Sequence, residues 1–235
     1  MRDEIDCMAR NKVQKLVDLP LGRKSIENKC VFKIKYWADR SIDKFKVCLV
    51  VKGFTQIEGV DYEETFSPVV RIASIHLLLA LVAHLDLELF KMDIKIAFLN
   101  GNIEEEIYMD QLIGFISKGQ EDKICHLKGS IYGLKQSSRA WCFRFYEAII
   151  SLGLNMVSED HCMYIMKTTK RIMFLTLYLD DILQAGNNME MIQPVMPSNS
   201  TCFTVYVLLN KSLNCNMMNP MIGALPPSKR TRLET

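Results

Sequence analysis

The sequence has no apolar segment long enough to cross a bilayer. Its longest apolar run, IHLLLALVAHL at residues 75–85, includes two histidines, whereas a membrane-spanning helix needs about 20 apolar residues. The first residues, MRDEIDCMAR, carry acids where a secretory signal needs a positive start and then an apolar core. We therefore expect an intracellular chain, in the cytoplasm, that is neither secreted nor bound to a membrane.

The sequence also lacks the cysteine spacing of a disulfide framework or a zinc site. It has eight cysteines but no CxxC pair, and without an export signal such cysteines are not expected to form disulfides. Two Cys–His dipeptides occur, at 125–126 and 161–162. Adjacent residues on a strand point to opposite faces, so neither dipeptide chelates a metal easily. We predict reduced thiols in the core.

The charge balance is nearly neutral over the whole chain but uneven along it. The formal net charge of the 235 residues is only +2, which by itself does not indicate a nucleic-acid-binding protein. Between residues 23 and 52 there are nine basic residues against three acidic ones. The basic residues are Arg23, Lys24, Lys29, Lys33, Lys35, Arg40, Lys44, Lys46 and Lys52. Such an excess is typical of a solvated face or of a surface that faces phosphates, and both remain open.

The spacing of apolar residues predicts a mixture of strands and helices. VFKIKYWAD and KFKVCLVVKG, within residues 29–53, predict a basic β-hairpin. Apolar residues at helical spacing predict one helix over about 72–85 and a second from Ser137 or Ser138, as N-cap, to Gly153. After about residue 192 five of the seven prolines occur and no period is sustained, which predicts a poorly ordered tail.

Two short segments carry carboxylates next to apolar residues. From Phe90 to Ile96 the period is two, so that Lys91, Asp93 and Lys95 share the face opposite the apolar residues. LTLYLDDILQAG, at 175–186, predicts a hairpin with two aspartates at its tip. A buried carboxylate needs a turn, a partner or a metal. Converging carboxylates repel, and Mg²⁺, which prefers oxygen ligands, would remove that cost. The spacing alone leaves these alternatives open, because Asp-Asp turns are common.

Longer motifs resemble a known family. LDLELFKMDIKIAFLNGNIEEEIYMDQLIGF is followed by IYGLKQSSRAW and then by YLDDIL, and VVKGFTQIEGVDYEETFSPVVRIASIHLLLALVA precedes them. In order and spacing these segments resemble the reverse transcriptase of copia-type long-terminal-repeat retrotransposons, those of plants above all. The resemblance extends from about residue 10 to residue 192.

The resemblance implies an α+β fold of the right-hand polymerase type. Fingers would comprise residues 1–85 and 104–136, and a palm would comprise 86–103 and 137–192. Residues 193–235 would be a divergent, disordered tail, with the thumb missing. The implied activity is RNA-directed DNA polymerisation by two-metal nucleotidyl transfer to a primer 3′-hydroxyl. Implied partners are an RNA template, a DNA or tRNA primer and deoxynucleoside triphosphates, with a second copy or other polyprotein parts as further candidates.

The resemblance also implies roles for individual residues. Asp93, Asp180 and Asp181 would be catalytic and would hold two Mg²⁺ or Mn²⁺ ions. Phe98 would exclude the ribose 2′-hydroxyl, Gln136 would contact the incoming nucleotide, and Lys46 and Lys52 would face the triphosphate or the template.

The sequence departs from the family pattern at some positions. Cys48 stands where a basic residue is expected, and a thiol cannot donate a charge-assisted bond to phosphate. With the divergent end, this favours a truncated copy that is inactive alone. Three hypotheses therefore stay open: an active polymerase domain, a non-catalytic remnant that binds nucleic acid through residues 23–52, and an inert translated fragment.

Overall fold

The computed structural model describes residues 2–37, 39–94, 96–188 and 203–208, and it describes their side chains except at 2–4, 7 and 203–208. The described helices are α1 (Arg2–Arg10), α2 (Ile72–His84) and α3 (Ser137–Ser151). The strands up to the middle of the chain are β1 (Gln14–Val17), β2 (Asn28–Tyr36), β3 (Ile42–Val51), β4 (Glu88–Ile94), β5 (Asn102–Met109) and β6 (Ile124–Gly129). The later strands are β7 (Asn155–Val157), β8 (Asp160–Lys167), β9 (Ile172–Tyr178), β10 (Asp181–Gly186) and β11 (Phe203–Leu208).

The largest unit is a six-stranded antiparallel sheet in the order β11-β4-β10-β9-β8-β7. Alternate residues of its strands pack on opposite faces, as the period of two requires. On one face Phe90, Met92 and Ile94 contact a core that contains Trp141 and Phe145 of α3. On the other face Leu89 packs with residues of α2. The predicted alternation at 90–96 is confirmed from Phe90 to Ile94, where Lys91 and Asp93 are less buried than their neighbours. The strand ends at Ile94, so the prediction was wrong for Ile96, and Lys95 lies outside the described residues.

A separate three-stranded sheet, in the order β1-β6-β5, covers its own core. Its buried residues include Ile107, Met109 and Leu127, and they pack against Leu49 and Val51 from the end of β3. The base of the β2–β3 hairpin is therefore buried in this second core, and the hairpin projects from it.

The β2–β3 hairpin confirms the predicted basic hairpin. Its register places Lys33 opposite Lys46 and Lys35 opposite Lys44, so these four lysines share one face. The other face carries Phe32, Ile34, Tyr36 and Phe45, and the side chains of both groups are exposed. Beyond its base the hairpin is a two-stranded ribbon with two chemically different open faces.

The two predicted amphipathic helices are confirmed, with one correction. α3 ends just before Gly153, whose φ of +86° fits the glycine predicted to stop the helix. Its N-cap, however, is Gln136 and not Ser137 or Ser138. Ser137 is buried inside the first turn, where its hydroxyl donates to the carbonyl of Ile131. A serine hydroxyl that already has a backbone partner is not available for capping.

Two glycines let the end of β3 touch the loop before α3. A Cβ on Gly53 would lie 2.0 Å from the carbonyl oxygen of Gly133, and a Cβ on Gly133 would lie 2.1 Å from the carbonyl oxygen of Val51. Gly133 also has a φ of +97°, a conformation that other residues rarely adopt. The amide of Val51 donates to the carbonyl of Tyr132 at 2.8 Å. The VVKGF and YGLKQ motifs thus form one backbone junction, hereafter the glycine junction.

The cysteines within the described side chains form no disulfides, in agreement with the predicted reduced thiols. They are Cys30, Cys48, Cys125, Cys142 and Cys162. Burial raises the pKa of Cys125 to about 11 and that of Cys162 to about 12. Such thiols remain protonated at neutral pH, and they behave as core residues.

Two further predictions concern membrane-spanning segments and the C-terminal tail. Among the described residues no helix is both long and apolar enough to cross a membrane. The predicted poorly ordered tail lies for the most part outside the described residues. The exception is β11, which the structure describes as a strand paired with β4.

Candidate active site

The tip of the β9–β10 hairpin is held by a tryptophan. The two turn residues are Leu179 and Asp180, because Asp181 already pairs with Tyr178 as the first residue of β10. Leu179 has a φ of +57°, an unfavourable conformation for a branched side chain. The indole Nε1 of Trp141 donates to the carbonyl of Leu179 at 2.8 Å. This bond fixes the strained turn. The predicted tip, Asp180 and Asp181, was wrong by one residue, because Asp181 belongs to β10.

The register of β4 and β10 brings the three predicted aspartates together. Asp93 is the direct cross-strand partner of Asp181, and the amide of Ile94 donates to the carbonyl of Asp180 at 3.0 Å. Side chains of directly opposed residues lie on the same face with Cβ atoms about 5 Å apart. Asp180 lies in the adjoining turn, one residue before Asp181. The predicted convergence of the carboxylates is therefore present in the fold.

The electrostatics of Asp180 reflect this crowding. Burial raises the pKa of Asp180 above its ordinary value, and the negative charges of Asp181 and Asp93 raise it further. Its own backbone N–H and the positive charge of Lys46 act in the opposite direction. Among the lysines of the β2–β3 hairpin, Lys46 is the one whose charge acts on this carboxyl. Perturbed carboxylates of this kind are common at functional sites.

Lys91, which received no role from the sequence, forms an ion pair with one of the three aspartates. Nζ of Lys91 lies 3.1 Å from Oδ2 of Asp181, and both side chains are about 30% exposed, at 31% and 27%. The alternation along β4 had placed Lys91 on the face of Asp93. Only the pairing of β4 with β10 shows that its partner is Asp181.

The donor set suits a hard divalent cation, although the arrangement is not closed around one. Carboxylate oxygens are the ligands that Mg²⁺ prefers, and Asp93, Asp180 and Asp181 supply them. In the described part of the chain no group of three or more His, Cys, Asp or Glu side chains is arranged to hold a metal ion. The Asp181 carboxylate contacts Lys91 instead. The carboxylate oxygens fit Mg²⁺ chemically, and the Asp181 carboxylate is already paired with the Lys91 ammonium group.

Phe98 lies in the short turn Ala97–Asn100 that follows β4. Its ring meets the edge of the Tyr132 ring, with centroids 5.0 Å apart and planes at 75°. The side chain of Asn100 donates to the carbonyl of Ile96 and so closes the turn. The aromatic pair orients the Phe98 ring close to the end of the strand that carries Asp93.

Gln136 is buried, with only 3% of its surface exposed. Its amide oxygen accepts a hydrogen bond from Gln56 at 3.0 Å, and its amide nitrogen donates to the carbonyl of Asp61 at 2.8 Å. Gln56 also accepts from the amide of Lys135. In this conformation Gln136 holds the 56–61 loop against the start of α3. Its contact with an incoming nucleotide stays a prediction.

The two lysines predicted to face the substrate differ in their surroundings. Lys46 is exposed on β3 and close enough to Asp180 to lower the pKa of that carboxyl. Lys52 forms an ion pair with Glu27, so its charge is partly compensated within the protein. The charge of Lys46 thus acts on Asp180 while its contact with a substrate stays a prediction, and Lys52 has a partner within the protein. A substrate contact by Lys52 stays a prediction.

The fold and the gathered carboxylates can now be compared with known proteins. A family model described as reverse transcriptase (RNA-dependent DNA polymerase) matches residues 11–212. The chain belongs to this reverse transcriptase family. The matched range ends beyond residue 192, where we expected the chain to diverge.

The similar proteins include polyproteins of copia-type plant transposons. The chain is 41% identical over 193 residues to the retrovirus-related Pol polyprotein from transposon TNT 1-94 of Nicotiana tabacum. It is 32% identical over 206 residues to that from transposon RE1 of Arabidopsis thaliana. These matches cover 82% and 87% of the chain but only 14% of each polyprotein. The resemblance to copia-type elements is confirmed.

Among solved structures, telomerase from Candida albicans in complex with a fragment of telomeric RNA is similar, with a TM-score of 0.40 and 12% identity. The match covers 91% of this chain and 47% of that one. A likeness this loose does not indicate a function.

Proposed function

We propose that this chain is the catalytic part of a reverse transcriptase, in which the carboxylates of the six-stranded sheet support RNA-directed DNA synthesis. The reaction is attack of a primer 3′-hydroxyl on the α-phosphate of a deoxynucleoside triphosphate, with pyrophosphate as the leaving group. The observation that carries the proposal is the β4–β10 register, which sets Asp93 opposite Asp181 beside the Asp180 turn. Family membership supplies the reaction class.

The residues of this chain would contribute mainly position and charge. Asp93 and Asp180 offer carboxylate oxygens on one side of the site, and Trp141 holds the Asp180 turn through its bond to Leu179. Mg²⁺, when bound, supplies neutralisation of the phosphate charge and activation of the attacking oxygen. Positioning and charge stabilisation account for most of the catalysis of phosphoryl transfer, because the protein forms no covalent intermediate.

The lysine face of the β2–β3 hairpin would bind phosphates of the template or the triphosphate. Lysines lie directly opposite each other in two cross-strand pairs, Lys33–Lys46 and Lys35–Lys44. Like charges in this position destabilise a hairpin. A bound phosphate backbone would relieve that repulsion. Binding would also be favoured by the release of the counterions that surround the nucleic acid. The opposed lysines thus favour an anionic ligand over a merely solvated face.

The opposite face of the hairpin presents exposed aromatic rings. Phe32 is 75% exposed and Phe45 is 71% exposed, and Tyr36 is also exposed. Unpaired bases stack on such side chains, and each stacked base contributes about 1–3 kcal/mol. A single strand on this face of the ribbon would therefore stack its bases on the rings, while the lysines of the opposite face stay available to phosphates.

Phe98 would select deoxynucleotides. Its ring is held against Tyr132 at the end of β4, where it cannot rotate freely because the aromatic pair and the closed turn constrain it. A rigid ring in this place would collide with a ribose 2′-hydroxyl. Phe98→Ala should consequently admit ribonucleotides.

Primer extension on a homopolymer RNA template with Mg²⁺ or Mn²⁺ tests the proposal. The chain of residues 1–235 is compared with the double variant Asp180→Asn, Asp181→Asn. Asp18→Asn is the matched control, because this aspartate pairs at 3.0 Å with Lys123, and the two residues flank β1 and β6 of the other sheet. We expect the double variant to abolish incorporation and the control to retain it. Equal incorporation by all three proteins, or none by folded wild-type chain, would contradict the proposal.

A second candidate function is nucleic-acid binding without catalysis. The hairpin's exposed lysines and aromatic rings favour it, since they do not depend on the carboxylates. Fluorescence anisotropy with labelled single-stranded RNA distinguishes the two functions. Lys33→Glu, Lys35→Glu in combination should weaken binding and reduce its salt dependence, whereas Asp180→Asn should leave binding intact. A fragment that is inert would bind no RNA and extend no primer.

A further inference from the structure

The ion pair between Lys91 and Asp181 places a protein cation inside the carboxylate cluster. Lys91 precedes Asp93 by two residues on β4, so both side chains lie on the same face of the sheet. On the neighbouring strand Asp181 is opposite Asp93. The 3.1 Å contact from Nζ of Lys91 to Oδ2 of Asp181 therefore runs diagonally across the two strands.

This contact uses a carboxylate oxygen that a metal ion would otherwise use. An ammonium group is a compact, strongly hydrated cation, and it binds carboxylates as a point charge. A carboxylate that is paired with it offers less negative charge to a second cation nearby. The absence of a closed three-ligand group among the described residues agrees with this occupation.

We propose that Lys91 is an internal counter-ion that keeps Asp181 out of the metal site. The free chain then binds a divalent cation through Asp93 and Asp180, and Asp181 joins only when Lys91 is removed from it. This inference rests on the proposed function, because it assumes that these carboxylates are metal ligands. Lys91 acts through Asp181, so it is a positioning residue and not a catalytic one.

Mn²⁺ binding, measured by the electron paramagnetic resonance signal of the free ion, tests the inference without any need for activity. The variant is Lys91→Met, and Lys91→Arg is its charge-conserving partner. Lys123→Met is a matched control, because Lys123 forms a 3.0 Å ion pair with Asp18 and is 35% exposed, against 31% for Lys91. We expect Lys91→Met to bind Mn²⁺ about tenfold more tightly, because changing a group that holds a metal ligand alters metal affinity by about 10–100-fold. Lys91→Arg and Lys123→Met should bind as the wild type does.

A double-mutant cycle then separates positioning from a general charge effect. Asp181→Asn should weaken Mn²⁺ binding less in the wild-type background, where it exposes the Lys91 charge but removes no metal ligand, than in the Lys91→Met background. In the Lys91→Met background the same substitution should weaken binding about tenfold. Additive effects of the two substitutions would overturn the inference.

The outcomes also distinguish this inference from the proposed function. Equal Mn²⁺ affinity for wild type and Lys91→Met would refute the role of Lys91 and leave the polymerase proposal standing. No Mn²⁺ binding by any folded variant would refute the inference, and primer extension would then decide the polymerase proposal separately. If Lys91→Met does not fold, as judged by circular dichroism, Lys91→Gln takes its place with the same expected gain.

Discussion

Replacing Asp180 by asparagine should make the protein more stable while it removes activity. Burial and the charges of Asp181 and Asp93 raise the pKa of Asp180 above its ordinary value. The folded state therefore binds a proton at this carboxyl more tightly than the unfolded state does. By linkage, its ionisation costs stability once the pH exceeds the unfolded pKa, which is near 3.8. Asparagine has a similar shape and carries no charge.

The expected gain is modest and depends on pH. Removing an unfavourable charge at a functional site typically stabilises a protein by about 0.5–2 kcal/mol. For a chain of 235 residues, each kcal/mol raises the Tm by about 2–4 °C. The advantage of the Asn variant should be absent near pH 3.8, where the unfolded carboxyl becomes protonated, and it should grow as pH rises through the higher folded pKa. Above that it should stay constant.

Thermal unfolding followed by circular dichroism between pH 4 and pH 8 measures this difference. Asp18→Asn is a suitable comparison, because the Asp18 side chain is 86% exposed and its ion pair with Lys123 should matter little. An Asn variant that is less stable than the wild type at pH 8 would refute the reasoning. So would a gain that is the same at pH 4 and pH 8, because it would not arise from ionisation.

Three further predictions concern residues that shape the site. Trp141→Phe should lose about 0.5–1.5 kcal/mol of stability in urea unfolding through the missing indole bond to the turn, whereas Trp37→Phe, at an exposed site, should lose almost none. Gly133→Ala should prevent folding or greatly destabilise the chain, because its Cβ would lie 2.1 Å from a carbonyl oxygen; Gly119→Ala, in open space, should show only the smaller backbone strain in the same thermal assay. Asp160→Ala should cost about 1–3 kcal/mol, because three hydrogen-bond donors lose their acceptor. No destabilisation by Trp141→Phe or Asp160→Ala, or equal effects at the two glycines, would contradict these expectations.

Asp160 also gives stability a second dependence on pH. Burial alone would raise the pKa of Asp160, but hydrogen bonds from Ser74 and from the amides of Arg71 and Cys162 outweigh it, so that the pKa is lowered. A lowered pKa stabilises the fold above the unfolded value of 3.8, and that contribution disappears as the pH falls through the folded value. This sign is opposite to that of Asp180.

Local periodicity was sufficient to predict the elements but not their contacts. The alternation at 90–94 predicted the two faces of β4, and helical spacing predicted α2 and α3, because burial of one face is a local property of each segment. The hairpin tip was predicted one residue late, since the sequence could not show that Asp181 pairs with Tyr178. The cap at Gln136 was missed because Ser137 is used by the Ile131 carbonyl.

The contacts of the site that the sequence did not predict depend on how distant segments are aligned in the fold. The ion pair of Lys91 with Asp181 follows from the alignment of β4 with β10, and two strands can be aligned in many ways. The bond from Trp141 to Leu179 joins residues that are 38 positions apart. Trp141 looked like an ordinary core residue in the sequence, since its helical spacing accounts for burial but not for the direction of its indole N–H.

The glycine junction has a mechanical consequence for the molecule. Two backbones in direct contact leave no layer of side chains that could yield between them. A tilt of the β2–β3 hairpin at its base is therefore expected to move the start of α3 as well. One helical turn further along, the indole of Trp141 is bonded to the strained Leu179 turn. The base of the hairpin and the turn that bears Asp180 are thus linked through α3 by two direct contacts.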